Sequence, residues 1–255
     1  MRQAFPVTEE HLNMKTVTFI VTTLLSGAIA GTILAVLNLA IVEPFIEQAI
    51  AIENERAAAS GELINPVEFA SYRIWQRGGQ ILAGTILGAS IASLFGVVFA
   101  YSRSLIPASS NKRKALILAG VMWFVLFIVP ALKYPGNPPA VGDPETLYYR
   151  QILYIAFISI SGFSALGLAF LYRKLGDSQV KKAVALPAAY AVIMIAAYLA
   201  MPSNPDQITA PMDLVMSFRM VSAFTMSIFW GLMGLILGLF WDKLSMHKAV
   251  ASSKV

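Results

Sequence analysis

The 255-residue chain has no cysteine, which removes disulfides, thiolate metal sites and thiol nucleophiles from consideration. Histidine is scarce as well. His11 and His247 are the only two, and both lie in the polar terminal segments. No His-Glu-x-x-His pair exists for a zinc protease, no Gly-x-x-x-x-Gly-Lys-Ser/Thr loop for a nucleotide, and no Gly-x-Ser-x-Gly elbow for a hydrolase. Charge is thin at 13%, where soluble domains run near a quarter. What replaces it is apolar: 57% of residues are hydrophobic and the mean hydropathy is +0.68. This is the composition of an all-α integral membrane protein in contact with the lipid bilayer. The net charge of +5 fits cytoplasmic Lys and Arg and calls for no nucleic-acid partner.

Six apolar runs are long enough, or nearly so, to cross about 30 Å of hydrocarbon. They are Thr16–Val42, Gly78–Tyr101, Ala115–Leu132, Ile152–Tyr172, Ala183–Met201 and Met220–Trp241. No ionisable residue sits in the middle of any of them, so paired acids of an intramembrane aspartyl enzyme and a buried proton relay are both missing. The third and fifth runs are short, and Pro187 near the start of the fifth is tolerable in a first helical turn. The first run follows a polar stretch carrying Glu9 and Glu10 and is far longer than a signal-peptide core, so it reads as a retained span.

Charge orders these runs across the membrane. The seven flanking segments carry 2, 3, 4, 2, 4, 1 and 3 Lys+Arg, giving 13 in the odd segments and 6 in the even ones. Six transmembrane helices with both termini cytoplasmic follow from the positive-inside rule. Acids run the other way, with 10 of the 14 in the even, outer segments. An acidic outer face concentrates cations near it. Ten of the 13 prolines also lie in or beside the outer segments, which predicts loops held in one shape. Gly27/Gly31, Gly84/Gly88 and Gly234/Gly238 have the small-xxx-small spacing of close helix contacts.

Three groups of side chains are candidates for function. In "NLAIVEPFIEQAIAIENE", Asn38 precedes Glu43 and Glu47, which are four apart and share a face if the helix continues past Pro44. Such oxygens suit a hard or borderline divalent cation, and the plainer reading is a solvated acidic surface. Met212, Met216 and Met220 repeat every fourth residue, as thioether ligands or as adaptable packing. Arg77, Arg150 and Arg219 sit at outer span ends beside aromatics, either as interfacial anchors or paired with Glu43 or Glu47.

Several stretches together carry a family resemblance. They are "VEPFIEQAIAIE" closing the first span, "FIVPALKYPGNPP" closing the third, "YYRQ" opening the fourth, and "DLVMSFRMVSAFTMSIFWGLMGLILG" at the last. Pro130, Pro135, Pro138, Pro139, Arg150, Gln151, Arg219 and Trp230 are its markers. Over nearly its whole length the chain resembles the CbtA-type probable cobalt transporter subunits. The resemblance implies a multi-pass cell-membrane permease, not an enzyme, with cobalt or another divalent cation as cargo and a small single-span histidine-rich subunit as partner. Relatives are often described with five spans, and many carry histidines in the first outer loop. The loop Glu43–Arg77 here has none. A non-transporting scaffold subunit and an interfacial lipid-handling enzyme are the alternative functions.

Overall fold

The computed structural model describes residues 9–62, 65–139, 141–174, 184–206 and 208–252. Among them the chain is all helical: α1 (Glu9–Leu37), α2 (Glu43–Ala59), α3 (Pro66–Ser102), α4 (Asn111–Trp123), α5 (Val129–Lys133), α6 (Leu147–Lys174), α7 (Leu186–Ala200) and α8 (Met212–Ser252). Two π-helical turns, Asn38–Val42 and Phe124–Ile128, directly precede α2 and α5. Five stretches are long and apolar enough to cross a membrane: Thr16–Ala59, Pro66–Ser102, Asn111–Lys133, Pro144–Tyr172 and Met212–Lys243. The fifth apolar run gives α7, 15 residues long, and at 1.5 Å per residue it extends about 22 Å. Residues 175–183, most of the segment between the fourth and fifth apolar runs, lie outside the described residues.

The chain divides into two compact units. The first comprises Met1–Ile41, Ile64–Gly120 and Ala223–Val255. Its basis is the absence of side chains: α1 and α3 meet through Gly27, Gly31, Gly84 and Gly88. A Cβ built on Gly27 would fall on the Gly88 carbonyl, and one on Gly31 would fall on the Gly84 carbonyl. Thr32 and Thr85 hydrogen-bond across the same seam at 2.7 Å. Gly234 and Gly238 of α8 play the same part against Ala119 and Lys112 of α4. Lipid offers no hydrophobic drive between helices, so this backbone approach supplies the dispersion contact instead. One end of the unit is closed by Trp241, edge-on to Phe19 and Phe99 and beneath the Arg103 guanidinium. Asp242 accepts the first free N–H groups of α4, from Asn111 at 3.0 Å and Lys112 at 3.2 Å. A carboxylate there also matches the positive end of the helix dipole. The family marker Trp230 is buried in this unit, edge-on to Phe229.

The second unit comprises Val42–Leu63 and Val121–Ser222. Its interior is organised by a proline. In the π turn before α5 the Val129 N–H bonds the Phe124 carbonyl, so the next carbonyl, that of Val125, would need a donor at residue 130. Residue 130 is proline and has none. The buried Ser161 hydroxyl of α6 fills the gap, donating to the Val125 oxygen at 2.5 Å. Its single proton is thereby committed, so in the 2.6 Å contact with Tyr190 of α7 the tyrosine is the donor. One missing N–H thus ties three helices together. Val129, Tyr134, Leu153, Phe157 and Met194 pack as an apolar cluster among the same helices.

The two π turns share a grammar. Pro44 stands two residues after Val42, and Pro130 two residues after Ile128. Val184 and Ala185 also have π geometry, two residues before Pro187. A proline ring collides with the carbonyl four residues back, and the wider π register relieves that collision. Apolar side chains left outside the helix contacts, such as Leu82, Ile86, Phe163, Val192 and Leu199, are more than half exposed, as lipid-facing residues are.

Ser161→Ala is expected to cost about 1–3 kcal/mol, the penalty of a buried carbonyl without a donor. Adding Pro130→Ala restores an N–H to Val125 and should recover most of that loss in thermal unfolding of the detergent-solubilised protein. Strictly additive losses would overturn the assignment of Ser161 as the replacement donor.

Candidate functional site: an acidic cap stapled by arginines

Asn38 and Arg77 belong to the first unit and the other candidate residues to the second, where α2, the loop 134–146, the loop 201–211 and the start of α8 form one cap. Ala49, Val141 and Leu214 are its buried apolar centre, with Phe45, Ile52, Ile208 and Ala210 against them. Polar staples hold the loops to that centre. Arg219 of α8 donates from Nε to the Gly136 carbonyl at 3.1 Å and from Nη2 to Asn137 Oδ1 at 2.7 Å. The planar guanidinium fork suits this two-point hold, which an ammonium could not reproduce. Arg56 of α2 donates to the Thr209 carbonyl at 2.5 Å.

The centre of the stapling is Asp206. Its side chain is 1% exposed and faces Arg150 Nε at 2.7 Å, and the Arg150 side chain is 22% exposed. Thr146 donates its hydroxyl proton to the same carboxylate. Arg150 also donates to the Asp143 carbonyl at 3.2 Å. Asp143 caps the short turn Pro144–Thr146 by accepting from the Glu145 N–H at 2.9 Å. Gly142 has φ +110° in this corner, where a Cβ would strike Asp206. A buried carboxylate is tolerable here because a cation and a hydroxyl both meet it.

Tyr134 completes the cap by donating from its phenol to the Pro202 carbonyl at 2.6 Å. Burial pushes this phenol above its ordinary range, and nearby Tyr149 adds to the shift. It therefore stays a neutral donor. Its contribution is full below the unfolded value of about 10 and is lost only as pH rises through the higher folded value. Lys133 lies over the Tyr198 ring at 4.5 Å. Of the marker prolines, Pro130 and Pro138 are fully buried, Pro135 is half-buried and Pro139 is exposed. Gln151 is exposed at the start of α6.

Glu43 and Glu47 do fall on one face, because α2 runs unbroken through Pro44. Glu43 is only 7% exposed and Glu47 is half-buried. Both residues are engaged with other groups. Asn38 opens the first π turn, and its Oδ1 is buried with no hydrogen-bond partner among the described residues. No group of three or more His, Asp or Glu side chains is close enough to hold a metal among the described residues. Met212, Met216 and Met220 are each about half exposed or more on α8.

Of the three arginines at outer span ends, Arg77 is engaged and the other two have partners other than Glu43 and Glu47. Arg150 pairs with Asp206, and Arg219 is spent on a backbone carbonyl and an amide rather than on Glu43 or Glu47. Sequence reading missed Asp206, Asn137, Thr146, Ser161 and Tyr190. For Asp206 a signal existed: a lone acid in a proline-bounded loop, on the same side of the charge alternation as Arg150.

Arg150→Ala strands a buried carboxylate and is expected to cost about 3 kcal/mol. The double variant Arg150→Ala/Asp206→Ala should lose less than the two singles summed, as read by thermal unfolding. Tyr134→Phe should cost about 1 kcal/mol, with no pH dependence between pH 6 and 9.

Comparison with known proteins adds one positive finding. The family model CbtA, described as a probable cobalt transporter subunit, matches residues 16–242. No curated protein and no solved structure matches the chain.

Proposed function

The chain belongs to the CbtA family of probable cobalt transporter subunits, and on that premise we propose that it is a membrane permease subunit carrying a divalent cation, cobalt in the first place. The observation that carries the reading is the family match over residues 16–242. Five helices long and apolar enough to span a membrane support a multi-pass protein. The reading places it in the cell membrane with both termini cytoplasmic, and α7 makes a sixth, short crossing in a locally thinned bilayer. The cap then faces outward, and its excess of acids raises the cation concentration at the mouth.

Roles follow from this orientation. Glu43 and Glu47 draw cations to the mouth, acting collectively through their field. The Arg150–Asp206 and Arg219–Asn137 contacts keep the loops from collapsing onto that acidic surface. A histidine-rich single-span subunit would supply the imidazole ligands that the loop Glu43–Arg77 lacks. Selection of cobalt then rests on that partner and on supply, since cobalt sits low in the divalent affinity order.

Uptake of cobalt-57 by cells expressing this chain, alone and with such a partner, tests the reading. Accumulation above control cells is expected, and Glu43→Gln/Glu47→Gln should reduce it several-fold by removing two negative charges at the mouth. No uptake in either condition would sink the permease reading in favour of a scaffold subunit. A reporter fused at Ser109 should score as cytoplasmic; an external score would reverse the topology.

A further inference from the structure

The proline device occurs at two places with opposite outcomes. Before Pro130 the Val125 carbonyl loses its backbone donor, and Ser161 supplies a replacement at 2.5 Å. Before Pro44 the spacing is the same: a five-residue π turn, one residue, then proline. The carbonyl five residues before Pro44 belongs to Leu39, and the proline brings it no N–H. Its neighbour Asn38 has a side-chain oxygen that is buried and without a hydrogen-bond partner among the described residues. Asn38 thus presents an oxygen without a proton donor, next to a carbonyl to which Pro44 brings none, where an apolar helix passes into a π turn. In lipid such groups cost several kcal/mol unless something meets them.

We infer that Asn38 Oδ1 and the Leu39 carbonyl form a transit site for a partly hydrated divalent cation. This inference rests on the permease reading and assigns it a passage point. Amide and carbonyl oxygens are hard ligands that suit such an ion and replace part of its water shell. They are also neutral, so they hold the ion weakly enough to release it, as conduction requires. Transporters place ions at interrupted helices for the same reason: backbone oxygens become free there without a water-filled break. At the second π turn the hydroxyl of Ser161 satisfies the freed carbonyl, so that turn serves packing and not passage.

The test uses the full chain purified in detergent, with cobalt chloride as probe, beside cobalt-57 uptake in cells. Wild type should melt about 5 °C higher at a hundredfold excess of Co²⁺ over its Kd. Asn38→Leu should leave the metal-free melting temperature unchanged or raised, because the lost oxygen made no bond. It should abolish the Co²⁺-dependent rise and cut uptake roughly tenfold or more, the scale of a disturbed metal ligand. Pro44→Ala, which returns an N–H to Leu39, should weaken the Co²⁺ response without lowering the metal-free melting temperature. A lowered melting temperature in Asn38→Leu with an intact Co²⁺ response would make Asn38 structural and overturn the site. Absence of any Co²⁺ response in wild type would overturn it as well, whatever uptake shows. A Co²⁺ response lost in Asn38→Leu, together with no uptake by wild type, would sink the permease reading and leave the site standing.

Discussion

In hydrocarbon a backbone carbonyl without a proton donor has nowhere to turn, and this constraint governs how the prolines of this chain are used. Proline removes an N–H and pushes away the carbonyl four residues before it. The described helices answer with a π turn ahead of Pro44 and Pro130, and with π geometry ahead of Pro187. Widening the register avoids the clash and transfers the deficit to one identifiable oxygen. At Val125 that oxygen becomes a joint, since satisfying it draws Ser161 and then Tyr190 into the same contact. A residue that would break a soluble helix here sets which helices meet.

Packing elsewhere follows the same economy of polar groups. The α1–α3 seam needs no large side chains, because glycine lets carbonyl and Cα surfaces touch. Outside the apolar stretches, staples replace greasy contact. Asp206, Arg150, Thr146 and Asp143 form a closed set in which the buried carboxylate has its cation and its hydroxyl. Arg219 does the equivalent for the loop start by holding Gly136 and Asn137. The cap therefore carries both an excess of acids and a fixed shape. Under the proposed permease reading these are complementary needs: charge gathers ions, and a fixed shape keeps the acids from being neutralised by a folded-over loop.

Much of this was legible in the chain. Helical class, most of the apolar runs and the glycine seams follow from composition and spacing alone. So does the family, through the proline-rich stretch from Pro130 to Gln151. Three-dimensional partners were not legible. Arg150 meets an acid 56 positions away, and Ser161 meets a carbonyl that only a π turn exposes. Glu43 and Glu47 were correctly given a common face because helix periodicity fixes that locally. Two of the three arginines offered as their partners, Arg150 and Arg219, are held instead by Asp206, Gly136 and Asn137, which lie far from them in the chain.

The sequence by itself determined where helices form, which glycines can touch, and which side of the charge alternation is acidic. These depend on local chemistry: hydropathy over about 20 residues, proline's missing N–H, and the count of basic groups between runs. Only the tertiary structure decided which polar atoms are satisfied and by whom. That decision turns on distances of about 3 Å between residues far apart in the chain, which periodicity does not encode. It is the reason two prolines in the same sequence pattern lead to different ends, one carbonyl closed by Ser161 and the other beside the unpaired oxygen of Asn38.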